Sequence, residues 1–142
     1  MPTKVVYSTE ATASGGGRDG KSATTDGALA VTLAVPKEMG GNGAGNNPEQ
    51  LFAVGYAACY LGAMRFAASS EKLGTVPADA SVTSTVGIGP RADGGFGLQV
   101  ELKVFMPGVE RAVAEKIAER GHFICPYSNA TKGNIEVTTT VV

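Results

Sequence analysis

The chain has 142 residues, of which 43% are hydrophobic and 18% charged. Its mean hydropathy is +0.05, the composition of one globular domain and not of a disordered chain. A formal charge of −1 offers little to nucleic acid or an anionic membrane, and two cysteines with one histidine cannot form a zinc finger, an iron–sulfur cluster or a disulfide framework.

The N-terminus, Met1-Pro2-Thr3-Lys4, has no apolar stretch of the signal-peptide kind. The uncharged run 51–64 is shorter than the ~20 residues that span a bilayer, so a soluble cytoplasmic protein is expected. Residues 4–13 read as a strand, the glycine run 15–20 as a turn, and 21–25 as a return strand. Asp26-Gly27 is a hairpin signal. Leu29, Val31, Leu33 and Val35 alternate as in a half-buried strand, which Pro36 ends. The glycine-rich loop 37–47 either moves or is pinned by its neighbours.

Asn47-Pro48-Glu49-Gln50 carries a capping box and a proline suited to the first helical position. The helix it starts runs to about Leu73, with Gly74 as its stop. Its first half is apolar on nearly every side, the pattern of a buried helix. Gly55, Cys59 and Gly62 form a small-residue seam where another backbone can approach. Residues 80–89 and 95–106 alternate as a hairpin, and Val109, Ala112, Val113 and Ile117 mark a short helix ended by Gly121. Cys125-Pro126 starts another helix, and 135–142 is a closing strand. With strands in hairpins and no repeat or linker, the fold class is α+β with antiparallel sheets, in a single domain over 1–142.

Gly15-x-x-x-x-Gly20-Lys21-Ser22 matches the phosphate-loop pattern letter for letter. That loop needs a helix after it, and Thr24-Thr25-Asp26-Gly27 turns the chain instead, so a plain glycine turn is the better reading. Asn129-Ala130-Thr131 is a glycosylation sequon without meaning in the cytoplasm. Cys59, mid-helix, packs by position alone as a small hydrophobe. Cys125, at a helix start, is expected to be exposed and to have a lowered thiol pKa. Arg18 can be a solvated charge, Glu49 a helix-dipole partner, and His122 a bonding partner for helix-end carbonyls.

The segment from Asn47 to Cys59, NPEQLFAVGYAAC, resembles the signature of the organic hydroperoxide resistance (Ohr) proteins of the OsmC/Ohr superfamily. Gly16-Gly17-Arg18-Asp19-Gly20 is similar to their N-terminal arginine turn, and Cys125 to Asn134, CPYSNATKGN, to their second cysteine motif. Tyr60 stands where that pattern often has Phe. The resemblance spans the chain in order. It implies antiparallel sheets packed around a long buried central helix in an intertwined homodimer, with active sites at the subunit interface. It further implies a thiol peroxidase for organic hydroperoxides, fatty or aryl. Cys59 would be the peroxidatic cysteine, Cys125 the resolving one, and Arg18 with Glu49 the pair that activates the thiol. The reductant would be lipoylated protein or dihydrolipoamide, with no metal and no bound cofactor.

The chemistry suits these residue types. Burial raises a thiol pKa from ~8.5, and a guanidinium, charged at any working pH, opposes that rise. A carboxylate holds the guanidinium bidentately. Leu51, Phe52 and Tyr56 are expected to supply apolar walls to the substrate pocket. Glu49 and Cys59 lie ten residues apart, about 15 Å along a straight helix. Unless the helix is broken, Arg18 and Glu49 of one subunit are expected to serve Cys59 of the other. The alternatives are a broader OsmC-type peroxidase, a non-enzymatic carrier of small apolar ligands, and a hydrolase using Cys125 and His122.

Overall fold

The computed structural model describes all residues, 1–142. The chain forms two compact units, Met1–Leu51 and Phe52–Val142. The first holds strands β1 (Ala11–Ser14), β2 (Lys21–Thr24) and β3 (Ala30–Thr32), which make an antiparallel sheet in the order β1-β2-β3. Ser14 pairs with Lys21, so the phosphate-loop look-alike is the tight turn of a hairpin. Gly17 takes a left-handed φ of 74° there, and a side chain on Gly20 would strike the Ser14 carbonyl oxygen. The strands are shorter than the alternation suggests. Residues 4–10 form no strand and lie exposed, because strand-forming residues make a strand only where a partner supplies hydrogen bonds.

The loop 37–47 is pinned, not free. Gly41 N–H donates to the Pro36 carbonyl at 3.1 Å, Gly43 N–H to Val35 at 3.0 Å, and Ala34 N–H to Asn46 at 2.9 Å. The capping box forms reciprocally: Gln50 N–H donates to Asn47 Oδ1 at 2.8 Å and Asn47 N–H to Gln50 Oε1 at 3.0 Å. It opens helix α1 (Pro48–Ser70), 23 unbroken residues.

The second unit holds the remainder of α1, strands β4 (Ser81–Pro90) and β5 (Phe96–Phe105), helices α2 (Arg111–Ile124) and α3 (Pro126–Thr131), and strand β6 (Val137–Val141). Its sheet has the order β4-β5-β6. The β4–β5 hairpin is antiparallel as expected, but β6 pairs parallel to β5, so this sheet is mixed. Pro107-Gly108 ends β5, and α2 with α3 carries the chain back to the same end of the sheet, which is the crossover that a parallel pair requires.

The core is periodic. Tyr56, Tyr60, Met64 and Ala68 line one face of α1 at intervals of four, and Val100, Leu102 and Val104 line one face of β5 at intervals of two. Ala114, Ile117 and Ala118 of α2 close over them. Each large side chain fully buried here is worth about 1.5–3 kcal/mol.

Three expectations about the helices change. Helix α1 is buried on one face only; Val54 is 71% exposed and Phe66 61%. It also ends at Ser70, before a left-handed Lys72 at φ 53°. Helix α2 runs through Gly121 to Ile124. Gly121 is a close-approach residue there and not a stop: a Cβ on it would lie 2.6 Å from Met64 Cγ and 3.1 Å from Tyr60 Cε2. By length and composition α1 can cross a membrane, with a mean hydropathy of 1.4 over its best window. The uncharged run 51–64 is shorter than the helix because Arg65 interrupts it; core helices of soluble proteins can be as long and as apolar.

Candidate functional site

The sequence-derived candidates fall into two clusters, one in each unit. In the first unit, Arg18 leaves the β1–β2 turn and Glu49 the first turn of α1. They meet as a bidentate pair, Nη1 to Oε2 at 3.0 Å and Nη2 to Oε1 at 2.7 Å. The fork geometry fixes the guanidinium plane as well as its charge. The hydrogen bond from Arg18 holds the Glu49 carboxyl below its ordinary range. Glu49 in turn keeps Arg18 more firmly protonated.

In the second unit, Cys59 of α1 and Cys125 between α2 and α3 meet sulfur to sulfur at 3.4 Å, with the Cys125 thiol as donor. Both are free. Cys125 caps α3 as expected, and its Sγ accepts the Ser128 N–H at 3.5 Å. It is not exposed, however: it is wholly buried, and Cys59 is the half-buried one that solvent reaches. Cys125 belongs to the same buried core cluster as Tyr56, Tyr60 and Ile117. Burial pushes the Cys59 thiol pKa up, the Tyr127 backbone N–H opposes that rise, and the neighbouring Cys125 adds to it. An unaided Cys59 is therefore mostly thiol at neutral pH.

Three aromatic rings cluster here, two from α1 and one from α3. Phe52 meets Tyr56 edge-on at 5.9 Å, and Tyr127 lies 6.0 Å from Phe52 and 5.8 Å from Tyr56. Gly55 makes room for Tyr127, since a Cβ there would sit 3.0 Å from its hydroxyl. Of the three expected pocket walls, Phe52 is half-buried in this cluster and Leu51 is half-buried in the first unit. Tyr56 is a core residue with no exposed surface. Its hydroxyl faces Ser128 Oγ at 3.0 Å and Thr131 Oγ1 at 3.2 Å. Tyr127 was not among the expected residues; its place two positions after Cys125, on the first turn of a helix, is the signal that could have found it.

His122 also differs from expectation. It sits inside α2 and bonds two hydroxyls, Nδ1 with Ser128 Oγ at 2.8 Å and Nε2 with Thr139 Oγ1 at 2.7 Å. Its ring lies 4.5 Å from that of Tyr60, and burial pushes its pKa down. With both nitrogens engaged by hydroxyls, it forms no Cys125–His122 dyad of the kind a hydrolase requires.

The chain is similar in sequence and fold to known proteins. The family described as OsmC-like protein matches residues 40–140. An organic hydroperoxide resistance protein of Xanthomonas axonopodis pv. citri is 50% identical over 141 residues, 99% of this chain and 97% of that one. The crystal structure of an organic hydroperoxide resistance protein from Legionella pneumophila superposes with a TM-score of 0.91 at 44% identity, covering 97% of this chain and 98% of that one. A putative organic hydroperoxide resistance protein from Vibrio cholerae, with captopril bound in one of its active sites, gives 0.92 at 45% identity, covering 99% and 95%. By sequence and by fold, the chain belongs to the OsmC/Ohr family, among its organic hydroperoxide resistance proteins.

Proposed function

We propose that this protein is a thiol peroxidase that reduces organic hydroperoxides to alcohols, with Cys59 as the attacking sulfur and Cys125 as the resolving one. The observation that carries the reading is the pair of unbonded sulfurs 3.4 Å apart, the more accessible one on α1. The Cys59 thiolate attacks the distal peroxide oxygen. The O–O bond breaks, the alkoxide takes a proton and leaves as alcohol, and Cys59 becomes a sulfenic acid. Cys125 then displaces hydroxide from that sulfur, giving the disulfide and water. An external dithiol, dihydrolipoamide or a lipoylated protein, reduces the disulfide by exchange and leaves oxidised itself. This cycle uses only the chain's own side chains and the two substrates.

Arg18 is the group that supplies thiolate in this reading. Burial disfavours the Cys59 anion, and a fixed guanidinium can reverse that and hold a peroxide oxygen. Glu49 orients Arg18. Helix α1 is unbroken, so about 15 Å of rise separates Glu49 from Cys59 along it. We therefore assign the Arg18–Glu49 pair of one subunit to Cys59 of the other, in a homodimer. The exposed Val54 and Phe66 and the open space above Gly62 favour a second copy against α1. Residues 1–142 then work as one domain, in the cytoplasm, where a thiol reductant is at hand.

Hydroperoxide consumption driven by dihydrolipoamide tests the reading in wild type, Cys59→Ser and Cys125→Ser. The peroxidase turns over as wild type, is inactive as Cys59→Ser, and stops after one turnover as Cys125→Ser. A carrier of apolar ligands shows no turnover in any of the three. A broader OsmC-type peroxidase consumes hydrogen peroxide as readily as long-chain hydroperoxides.

A further inference from the structure

Around Ser128, three residues after Cys125, lies a set of buried and half-buried hydroxyls that the peroxidase cycle does not use. Five hydrogen bonds join Thr139 of β6, His122 of α2, Ser128 and Thr131 of α3, and Tyr56 of α1. Counting protons orients all five. The Thr131 hydroxyl donates to the Ser128 carbonyl at 3.2 Å, so Thr131 Oγ1 can only accept from Tyr56. With its proton on Thr131, the Tyr56 oxygen must accept from Ser128. With its proton on Tyr56, the Ser128 hydroxyl must accept from His122, which makes Nδ1 the protonated nitrogen. Nε2 then accepts from Thr139. A neutral imidazole with its proton on Nδ1 satisfies every member of the chain; the opposite tautomer leaves the Ser128–Tyr56 contact without a proton.

The chain ties together the pieces that hold the two sulfurs. Tyr56 is one helical turn before Cys59 on α1, and Ser128 is three residues after Cys125 on α3. Ser128 also presents its backbone N–H to Cys125 Sγ at 3.5 Å. Its side chain and its main chain therefore connect Tyr56 and His122 to the sulfur of Cys125.

We propose that His122 and Ser128 are positioning residues for Cys125: their oriented hydrogen-bond chain sets the depth of α3, and so governs resolution of the Cys59 sulfenic acid without governing attack on peroxide. This rests on the peroxidase reading. In the resolving step the S–O bond of the sulfenic acid breaks, the S–S bond forms, and the Cys125 proton leaves with hydroxide as water. Delayed resolution leaves the sulfenic acid open to a second hydroperoxide, which takes it to sulfinic acid.

The test is rapid mixing of reduced protein with one equivalent and with excess of cumene hydroperoxide. Loss of the Cys59 thiol and formation of the disulfide are followed separately by quenched alkylation and mass analysis. Two variants break the chain at different links: Ser128→Ala, and His122→Phe, which keeps a ring beside Tyr60. In either variant that folds, disulfide formation is expected to slow about tenfold, the scale of one buried partner left unpaired. Loss of the Cys59 thiol stays at the wild-type rate, and sulfinic acid accumulates in excess hydroperoxide. Disulfide formation at the wild-type rate, or equal slowing of both phases, overturns the inference. Nitrogen-15 spectra of wild-type His122 at neutral pH supply a check that needs no variant: protonated Nδ1 and bare Nε2 are expected, and a protonated Nε2 overturns the chain. If wild type does not lose the Cys59 thiol at all, it is the peroxidase reading that fails.

Discussion

The sulfurs of Cys59 and Cys125 lie 3.4 Å apart and are not bonded. A disulfide needs them at about 2.05 Å, so little movement separates the reduced pair from the oxidised one. Burial makes Cys59 a reluctant thiolate, and the proposed division of labour between the two residues rests on access: Cys59 meets solvent and Cys125 does not. Under the proposed cycle, Cys125→Ser is expected to keep the first oxidation of Cys59 and lose multiple turnover, with sulfinic acid at Cys59 as its end point. A Cys125→Ser protein that cycles with dihydrolipoamide at the wild-type rate contradicts the resolving role.

Arg18 is expected to set the reactivity of Cys59. Arg18→Ala should move the pH midpoint of Cys59 alkylation upward, because the remaining influences on the thiol are dominated by burial. Its kcat/KM for an aryl hydroperoxide should fall about 100-fold or more, the scale of removing one preorganised charge donor. An alkylation profile that does not move assigns the activation to another group.

Glu49 gives the pair its pH dependence. Arg18 lowers the folded-state pKa of Glu49 below the ordinary value of 4.5. A lowered carboxyl contributes stability that is present above its unfolded pKa and lost as pH falls through its folded one. Arg18 is 39% exposed, so solvent screens the pair and its contribution stays near about 0–1 kcal/mol. The stability difference between wild type and Glu49→Gln, read from denaturant midpoints, should therefore be small at pH 7 and vanish in acid below the ordinary glutamate range. The loss of activity in Glu49→Gln should be far larger than its loss of stability, since the carboxylate orients Arg18.

Gly121 is a packing residue. Replacing a mid-helix glycine by alanine gains about 1 kcal/mol of helix propensity. At this position the new Cβ would meet Met64 Cγ at 2.6 Å in a fully buried core, and overpacking costs about 1–3 kcal/mol. Gly121→Ala is expected to be net destabilised, with a lower urea midpoint. A stabilised variant contradicts the close approach of α1 and α2.

Under the proposed cycle, substrate preference is expected to follow from the partly exposed rings near the starts of α1 and α3. Phe52 and Tyr127 lie 6.0 Å apart in centroid distance, with the wholly buried Tyr56 packed against both, and apolar walls favour a ligand with an apolar body. A higher kcat/KM for cumene or fatty-acid hydroperoxide than for hydrogen peroxide is expected; equal values count against an apolar pocket.

The positions of the candidate site residues were legible because each sits in a local pattern that survives folding, while their roles came only from the family resemblance. The capping box placed Glu49 on the first turn of α1, the glycine turn placed Arg18 between two strands, and Pro126 placed Cys125 at a helix start. What stayed hidden depends on tertiary partners. The depth of Cys125 is decided by how α3 folds back, the parallel pairing of β6 by the crossover through α2, and the role of Gly121 by the nearness of Met64. Hydropathy overestimated the burial of α1, because an all-round apolar helix shows only that something covers it, not that the same chain does. His122 read as a capping residue because its two hydroxyl partners lie on other elements, six and seventeen residues along the chain.

The central claim is a sulfur cycle between Cys59 and Cys125. Fully reduced protein mixed with one equivalent of cumene hydroperoxide, quenched with an alkylating agent and analysed by peptide mass spectrometry, tests it most directly. Cumyl alcohol and a Cys59–Cys125 disulfide in equal amounts are expected once the reaction is complete, with neither cysteine left to alkylate. Recovery of both cysteines alkylated and the hydroperoxide intact would contradict it.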